Sequence, residues 1–233
     1  MISIIIPVYN QAKKIKATLE SIANQTLADW EVIVVNDGST DNLEAEFTAF
    51  LDKFSGANSF IFLNQENKGA PAARNTGLSK ARGEFLLFCD SDAILDPRAL
   101  ELWQAALLFD SQAAFAYSAF KWGRRLFKVG SYDYDRLRRE PYIHTTSLIR
   151  RSAFPASGWD EDLKRFQDWD LWLTIAAAGG YGVFVDQVLF AVSPGGHISS
   201  WLPAFSYRFL KFLPAVKKYH AAKEIIYNKH QIV

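Results

Sequence analysis

The sequence predicts an α/β protein whose sheet is mixed, mainly parallel and flanked by helices, with a helical extension at the C-terminus. Apolar strands alternate with helices over the first hundred residues, and such alternation is typical of a parallel, doubly wound sheet with right-handed crossovers. The first strand, residues 2–8, is almost continuously apolar, as expected of a parallel strand that is covered on both faces. After Ala113 the pattern becomes less regular.

The first half of the chain has a clear order of elements. Strands are predicted at residues 2–8, 30–35, 60–63 and 84–89. Helices are predicted around Ile15, Leu19 and Ile22, which are spaced to share one face, and at residues 42–54, 71–81 and 97–109. Thr40 or Asp41 is the expected cap of the second helix, and Asp96 is the expected cap of the fourth, which has Pro97 in its first turn.

Fewer secondary-structure elements are predicted in the second half of the chain. Strands are expected at residues 114–122, 142–149 and 181–191, and a polar, Arg-rich connection is expected at 123–140. A helix is expected at residues 168–178, where Gly179-Gly180 ends it. We therefore expect one domain over residues 1–199, with halves at 1–112 and 113–199, and a basic aromatic helical tail over 200–233.

Composition excludes several classes of protein. The net charge is +1, so no strong field attracts nucleic acid, and none is expected as a partner. Cys89 is the single cysteine, which excludes a disulfide framework, favours a reducing compartment and is typical of a small buried apolar residue. No apolar run reaches the roughly 18 residues that span a bilayer, and no basic segment precedes the first strand. We therefore expect no signal peptide and a cytoplasmic protein.

The tail has its own composition. It carries large apolar side chains, namely Trp201, Phe205, Tyr207, Phe209, Leu210, Phe212 and Leu213. It then carries basic side chains, namely Lys217, Lys218, Lys223 and Lys229, with Glu224 as the acidic residue. Two interpretations stay open: a helix that packs on the domain, or a basic amphipathic surface that docks peripherally on anionic lipid at the inner face of the membrane.

Polar side chains follow each strand of the first half. They are Asn10, Asp37, the segment 67–69 and the segment 90–92. Because the carboxyl ends of parallel strands meet at one edge of a sheet, where open α/β sheets bind ligands, the set indicates a binding site. Asp90 and Asp92 are hard oxygen donors suited to Mg²⁺ or Mn²⁺, although Asp-Ser-Asp is also ordinary turn chemistry.

Residues 67–75 open a helix with small side chains, so the backbone can approach a phosphate at a helix N-terminus. Arg74 lies about one turn into that helix, where it either reaches a phosphate or base or is a surface charge. The chain has neither a Gly-x-Gly-x-x-Gly segment after the first strand nor a Gly-Lys-Ser/Thr segment. These absences argue against a dinucleotide-dependent dehydrogenase and a P-loop NTPase.

Taken in order, residues 3–10, 36–41, 67–75 and 90–92 resemble the family 2 glycosyltransferases, which have the GT-A fold. The resemblance covers residues 2 to about 100 and resumes at 158–161 and 167–172. It implies a metal-dependent, inverting transfer of a sugar from a nucleotide-diphospho-sugar, with UDP-sugars favoured, to a glycan or lipid-linked glycan acceptor. Residues 1–112 would then be the nucleotide-sugar-binding half, and residues 113–199 the acceptor-binding half.

The resemblance also implies roles for individual residues. Nucleotide-sugar binding would involve Pro7, Val8, Tyr9, Asn10, Asp37, Gly69, Arg74, Asp90 and Ser91, with Tyr9 against the base and Asp90 towards the ribose or sugar. Asp92 would bind Mn²⁺ or Mg²⁺. Asp168 would be the general base that takes the proton of the acceptor hydroxyl, unless it serves only as a helix cap. Trp159 and Asp160 would border the acceptor pocket.

The sequence departs from the family pattern at several positions. Gln167 stands where the family has Glu, Ala191 replaces an Arg, and Ser193 stands in the slot of a His. His197 lies a few residues further on, in a glycine-rich segment, and is a candidate ligand of the metal or diphosphate. These departures leave open a non-catalytic sugar-nucleotide-binding or scaffold subunit. A sugar nucleotidyltransferase or a two-carboxylate glycoside hydrolase fits the strand ends less well.

Overall fold

A computed structural model describes residues 1–54, 56, 59–193 and 213–232. The strands are β1 Ile2–Val8, β2 Trp30–Asp37, β3 Ser59–Gln65, β4 Phe85–Phe88, β5 Ala93–Leu95, β6 Phe115–Trp122, β7 Arg125–Phe127, β8 Leu148–Arg150 and β9 Gly182–Val192. The helices are α1 Ala12–Ala23, α2 Leu43–Leu51, α3 Ala70–Leu78, α4 Ala99–Phe109, α5 Tyr134–Arg139, α6 Gln167–Ala177 and α7 Pro214–Lys229. A single 3₁₀ turn, Arg151–Ala153, follows β8.

The strands form one mixed sheet in the order β3-β2-β1-β4-β8-β6-β9-β5, with β7 paired to β6. Strands β3, β2, β1 and β4 are parallel, while β8 is antiparallel to β4 and to β6. The predicted mixed α/β fold with a C-terminal helix is therefore confirmed. Because β8 runs against β4, the amino end of β8 lies at the same sheet edge as the carboxyl ends of β1 to β4.

The central strands are apolar because both of their faces are covered. Ile4 and Ile5 of β1 and Val32 of β2 are fully buried. Helix α1 buries the predicted stripe of Ile15, Leu19 and Ile22, and α3 packs against β1 and β2. The packed sheet thus gives the polar loops at its carboxyl edge a rigid support.

Helix α2 begins at Leu43 and ends at Leu51, so the predicted range 42–54 was too long. The predicted caps were also wrong, because neither Thr40 nor Asp41 caps α2. Asp41 Oδ2 accepts a hydrogen bond from the backbone N–H of Ala12 at 2.8 Å. The loop after β2 lies beside the start of α1, and Asp41 therefore satisfies a free N–H of that helix instead.

Two other helix boundaries differ from the prediction. Helix α4 begins at Ala99 rather than Pro97, because Asp96 closes a separate turn in which its side chain accepts from the Arg98 N–H at 3.0 Å. Helix α3 ends at Leu78 rather than at residue 81, since the next residues form tight turns. These differences in the helix boundaries leave each predicted site residue on the helix or loop where it was predicted.

The strand predicted at residues 142–149 was wrong for most of its length, because only Leu148–Arg150 pairs with neighbouring strands. The preceding residues form irregular backbone fixed by side chains. Trp172 Nε1 donates to the carbonyl of Ile143 at 3.0 Å. The connection at 123–140 contains the unpredicted β7 and α5, and Asp133 caps α5 by accepting from the Arg136 N–H.

Glu31 is a buried acidic residue within β2, and the structure explains its presence. Its carboxylate accepts from Ser3 Oγ at 2.7 Å, from the Arg82 backbone N–H at 2.7 Å, and from the Arg82 guanidinium at 2.7 and 2.9 Å. Burial alone would raise the pKa of Glu31, but these hydrogen bonds outweigh it and lower the pKa below its ordinary value of 4.5.

We expect Glu31→Gln to lower the free energy of unfolding by about 2 kcal/mol at pH 7, since a charged acceptor is lost while its donors stay in place. Because the folded pKa is depressed, this contribution is present above pH 4.5 and is lost as the pH falls through the folded value. Urea denaturation at several pH values measures it. The exposed Glu84→Gln is the control, and an effect of Glu31→Gln that does not shrink with acid would contradict the account.

Helix α7 packs against the domain, with Val216 and Ile226 buried. The tail segment before it, including most of its large apolar residues, lies outside the described residues. None of the helices in the described part of the chain is both long and apolar enough to cross a membrane. Peripheral contact of the tail with lipid stays a prediction.

Candidate active site

The loops after β1 and β2 are joined by hydrogen bonds at the carboxyl edge of the sheet. Asn10 has a left-handed backbone, with φ +52°, and its N–H donates to Ser39 Oγ at 3.0 Å. Asn10 Oδ1 accepts from the Thr40 N–H at 2.8 Å. The short amide side chain of Asn tolerates this conformation. Asn10 therefore fixes the two loops relative to each other, next to the half-exposed Tyr9.

Asp37 organises the turn that opens α3. Its buried carboxylate accepts from Gln65 Nε2 at 2.8 Å and from the backbone N–H groups of Lys68 and Gly69, both at 2.9 Å. Gly38, at φ +71°, has no room for a side chain, since a Cβ there would lie 2.8 Å from the backbone nitrogen of Asn67. The ends of β2 and β3 are thus locked together beside the N-terminus of α3.

Arg74 joins three parts of the site. Its side chain is buried, so the surface-charge alternative is wrong. Nη1 donates to Gln167 Oε1 at 2.9 Å, and Nη2 donates to Asp90 Oδ1 at 3.3 Å. The guanidinium also lies 4.6 Å from the ring centroid of Trp159. Arg74 therefore links the end of β4, the start of α6 and the loop at residues 158–161.

Helix α1 supports the turn at residues 90–92. Thr18 Oγ1 donates to the carbonyl of Ser91 at 2.9 Å, and Lys14 Nζ lies 3.2 Å from Asp92 Oδ2. Burial and the charge of Asp90 raise the pKa of Asp92, while Lys14 opposes that rise. Cys89 before the turn is buried, and burial raises the pKa of its thiol well above the ordinary value, in agreement with a structural role.

The carboxylates of Asp90 and Asp92 have the hard oxygens that Mg²⁺ and Mn²⁺ prefer. Within the described ranges, which omit residues 194–212, no group of three or more His, Cys, Asp or Glu side chains is placed to hold a metal ion. A cation at Asp92 would therefore need further oxygen ligands, which a bound diphosphate has. His197, the other candidate ligand, lies outside the described residues.

Asp168 lies in the first turn of α6 and is partly buried. Its Oδ1 accepts from the Trp169 N–H at 2.9 Å, but the residue in the cap position is Phe166, not Asp168. Burial raises the pKa of the Asp168 carboxyl, whereas the nearby His144 and Arg74 oppose the rise. Oδ2 makes no described hydrogen bond, which leaves one carboxylate oxygen for a proton.

His144 is a site residue that the sequence did not predict. Its Nε2 lies 3.8 Å from Asp90 Oδ2, and its ring packs against the stacked rings of Phe120 and Phe190, with centroid distances of 4.9 and 5.0 Å. Because the Thr146 N–H donates to Nδ1 at 3.0 Å, the proton of the neutral ring lies on Nε2, which faces Asp90. His144 reaches the site through the antiparallel pairing of β8, which no local pattern indicates.

The loop predicted to border the acceptor is held by α3. Asn75 exchanges two hydrogen bonds with the backbone of Trp159, at 2.8 and 2.9 Å. Gly158, at φ +74°, leaves room for that contact, since a Cβ there would lie 2.6 Å from Asn75 Oδ1. Beside the loop is a cleft of about 530 Å³, lined also by Gln167 and by Lys229 of α7. Trp159 itself is buried, so its side chain supports the cleft more than it is exposed there.

Comparison with known families agrees with this arrangement. The sequence profile described as Glycosyl transferase family 2 matches residues 3–156, which is more than half of the chain. The chain belongs to glycosyl transferase family 2. The match contains the strand ends, Arg74 and the turn at 90–92, and it stops before Asp168 and α7.

Two curated proteins are similar to this chain over half of its length or more. Chondroitin synthase of Pasteurella multocida (strain Pm70) is 32% identical over 196 residues, which cover 78% of this chain and 19% of that protein. The Escherichia coli protein WfgD, a UDP-Glc:alpha-D-GlcNAc-diphosphoundecaprenol beta-1,3-glucosyltransferase, is 36% identical over 121 residues, or 52% of this chain and 46% of that protein. The chain thus spans less than half the length of either relative.

Solved structures of glycosyltransferases share the fold. TarS 1-349 of Staphylococcus aureus in complex with UDP-GlcNAc aligns with a TM-score of 0.69 and 23% identity, over 99% of this chain and 71% of that chain. The mannosyltransferase PcManGT from Pyrobaculum calidifontis in complex with GDP-Man and Mn²⁺ aligns with a TM-score of 0.70 and 21% identity, over 84% and 58%. This family 2 chain therefore has the GT-A fold.

Proposed function

We propose that this chain is a glycosyltransferase domain that transfers a sugar from a nucleotide-diphospho-sugar to a glycan or lipid-linked glycan acceptor in polysaccharide synthesis. The observation that carries the proposal is the position of Arg74, which holds Asp90 at the donor edge and Gln167 beside Asp168. The buried guanidinium of Arg74 thereby links the proposed donor site to the residue that precedes the proposed base. Family membership supports the same reaction class.

The proposed donor site lies along the carboxyl ends of β1 to β4. Its proposed members are Pro7, Val8, Tyr9, Asn10, Asp37, Gly69, Arg74, Asp90 and Ser91. The half-exposed ring of Tyr9 suits stacking on a base, and the amides at the start of α3 suit an anion. UDP-sugars are the favoured donors, since the similar TarS structure contains UDP-GlcNAc and the similar WfgD is named for UDP-Glc.

The proposed chemistry is displacement by the acceptor hydroxyl at the anomeric carbon. That hydroxyl is a weak nucleophile until a base takes its proton, and Asp168 has a carboxylate oxygen for that purpose. A single base opposite the leaving diphosphate predicts inversion of the anomeric configuration. Burial raises the pKa of Asp168, and the nearby Arg74 and His144 oppose that rise.

We also propose Mn²⁺ or Mg²⁺ as cofactor, with Asp92 as the protein ligand and oxygens of the donor completing the shell. Bound there, the cation would offset negative charge on the leaving diphosphate. The hard carboxylate chemistry of Asp92 supports this, and the similar mannosyltransferase structure contains Mn²⁺. Lys14 is then a competitor, because its ammonium lies 3.2 Å from the same carboxylate.

We expect Lys14→Met to raise the affinity for Mn²⁺ about fivefold, the effect of losing ~1 kcal/mol from a partly exposed ion pair. Electron paramagnetic resonance of Mn²⁺, titrated in the presence of UDP, measures this without turnover. The exposed neighbour Lys13→Met is the matched control. Equal or lower affinity in Lys14→Met would show that Lys14 does not compete for Asp92.

Thermal unfolding with a panel of nucleotide sugars tests the proposed function. UDP-, GDP- and dTDP-sugars are compared with and without Mn²⁺, and the right donor should raise Tm by mass action. No shift with any of them would contradict the donor site. A rise in Tm without sugar transfer would favour the alternative, a non-catalytic sugar-nucleotide-binding subunit. The observation behind that alternative is Gln167, which stands where the family has Glu.

Peripheral contact with the cytoplasmic face of a membrane is a separate proposal for the tail. The exposed Lys217 on α7 supports it. Co-sedimentation with anionic liposomes, comparing the full chain with a chain truncated before Ser200, tests it. Equal binding by the two chains would remove the tail from the proposal.

A further inference from the structure

The C-terminal helix reaches the proposed acceptor cleft. Lys229, the last residue of α7, places its Nζ 2.5 Å from Asp160 Oδ2 and 2.9 Å from Asp170 Oδ2. The next residue, His230, places Nε2 2.7 Å from Asp170 Oδ1. Asp160 belongs to the loop that borders the cleft, and Asp170 belongs to α6. The tail thus connects the loop to the helix that carries the proposed base.

The ion pairs of Lys229 with Asp160 and Asp170 depend on the positive charge of this one side chain. Asp160 and Asp170 are two carboxylates that share one ammonium, so removing Lys229 would leave like charges facing each other. Burial lowers the pKa of Lys229, but the two carboxylates outweigh burial and raise it, and Lys229 in turn lowers the pKa of Asp160. The side chain of Asp170 is only 8% exposed, and without Lys229 it would keep His230 as its partner while Asp160 would lose its ammonium.

Aromatic side chains of α7 contact Phe166 and Trp169, which flank Asp168 in the sequence. The ring of Tyr219 lies 5.2 Å from that of Phe166, and the ring of Tyr227 lies 5.8 Å from that of Trp169. Phe166 has a left-handed backbone, with φ +60°, which is strained for a bulky side chain. Tyr219 of α7 thus packs on a residue with a strained backbone, directly before the helix that carries Asp168.

Resting on the proposed function, we propose that Lys229 is a positioning residue for the acceptor: it fixes the Asp160 loop against α6 and forms one wall of the 530 Å³ cleft that receives the acceptor sugar. The chemistry of that wall suits sugar hydroxyls, because paired carboxylates and an ammonium offer both acceptors and donors. The tail helix then belongs to the acceptor half of the site, although it lies outside the part of the chain that matches the family profile.

Lys229→Met and the matched control Lys218→Met, at an exposed position of the same helix, test the proposal. Hydrogen–deuterium exchange of the unliganded protein comes first. In Lys229→Met, residues 158–166 should exchange at least about tenfold faster, as expected when a held loop opens locally. Residues 85–92 should keep their protection in both variants, since the described hydrogen bonds of Lys229 and His230 go to Asp160 and Asp170 and not to β4.

Transfer kinetics follow, with UDP-GlcNAc as donor and p-nitrophenyl glycosides as acceptor probes. Lys229→Met should raise the acceptor KM about tenfold, as a lost positioning contact of ~1.4 kcal/mol would. Its Kd for UDP should stay within about twofold of the wild type, and Lys229→Arg should restore most of the acceptor KM. Lys218→Met should match the wild type throughout.

Several outcomes would overturn the proposal. Exchange at 158–166 that is the same in Lys229→Met and Lys218→Met removes the structural part, and faster exchange with an unchanged acceptor KM removes the acceptor role. If Lys229→Met unfolds below the assay temperature, the milder variant Lys229→Gln is measured instead, and the same two results would overturn the proposal. A wild type that transfers no sugar contradicts the proposed function itself, and the exchange data still report separately on the tail.

Discussion

Asp168→Asn is expected to lower the rate of sugar transfer by about 10²–10⁴-fold, the usual effect of losing a general base. The substitution keeps the shape of the side chain and the hydrogen bond from the Trp169 N–H, so the fold and donor binding should be unchanged. Release of nucleoside diphosphate measures the rate, and the Kd for UDP measures donor binding.

The pH dependence of the wild type gives a second reading of the same residue. Because burial raises the pKa of Asp168, the acid limb of kcat should lie at a higher pH than for an exposed Asp, and Asp168→Asn should lack that limb. Asp162→Asn, an exposed carboxylate six residues earlier in the chain, is the control. Near-normal transfer by Asp168→Asn would show that the base lies elsewhere.

Asp37→Ala is expected to lower the free energy of unfolding by about 2 kcal/mol, because three hydrogen bonds to the β3–α3 turn lose their charged acceptor. For a chain of this size that loss lowers Tm by about 4–8 °C. The turn carries the amides at the start of α3, so the affinity for UDP should also fall by more than about tenfold, the cost of misplacing a set of anion-binding amides.

Thermal unfolding and UDP titration measure the two effects of Asp37→Ala. Asp52→Ala, at the exposed end of α2, removes a carboxylate that makes no described hydrogen bond and is the matched control. A variant at Asp37 that is stable and binds UDP normally would contradict the assignment of this carboxylate as the organiser of the donor loops.

The first half of the site was predictable because its signals are local. Each parallel strand delivers its polar end to the same edge, so Asn10, Asp37 and the Asp90–Asp92 turn follow from strand periodicity alone. The helix boundaries were less predictable because a side chain next to one helix can cap the N–H groups of another helix. Asp41, for example, accepts from the first N–H of α1 although it lies only two residues before α2 in the sequence.

The second half of the site depends on contacts between distant residues. His144 lies in a segment with the composition of a strand, and only the antiparallel pairing of β8 brings it to Asp90. In the sequence, Lys14 is typical of an exposed charged residue on a helix, and Lys229 is typical of a solvated charged residue in a tail. Their partners, Asp92 and Asp160, lie about 70 or more residues away in the chain, and no spacing rule connects them.

Gln167 shows how a departure from a family pattern can acquire a physical meaning. From the sequence, a Gln in place of Glu indicated the loss of a supporting charge beside Asp168. In the structure Gln167 accepts from Arg74 at 2.9 Å and donates to the carbonyl of Leu163 at 2.9 Å. The neutral amide therefore keeps the link to Arg74 while it leaves more of the Arg74 charge to Asp90 and Asp168.

The anomeric configuration of the product tests the central claim most directly. Proton NMR of a reaction between an α-linked UDP-sugar and a p-nitrophenyl glycoside follows donor, UDP and product in one sample. The account predicts that UDP forms together with a β-linked product, at a rate that depends on Asp168. Retention of the α configuration, or no UDP release with any donor that raises Tm, would contradict it.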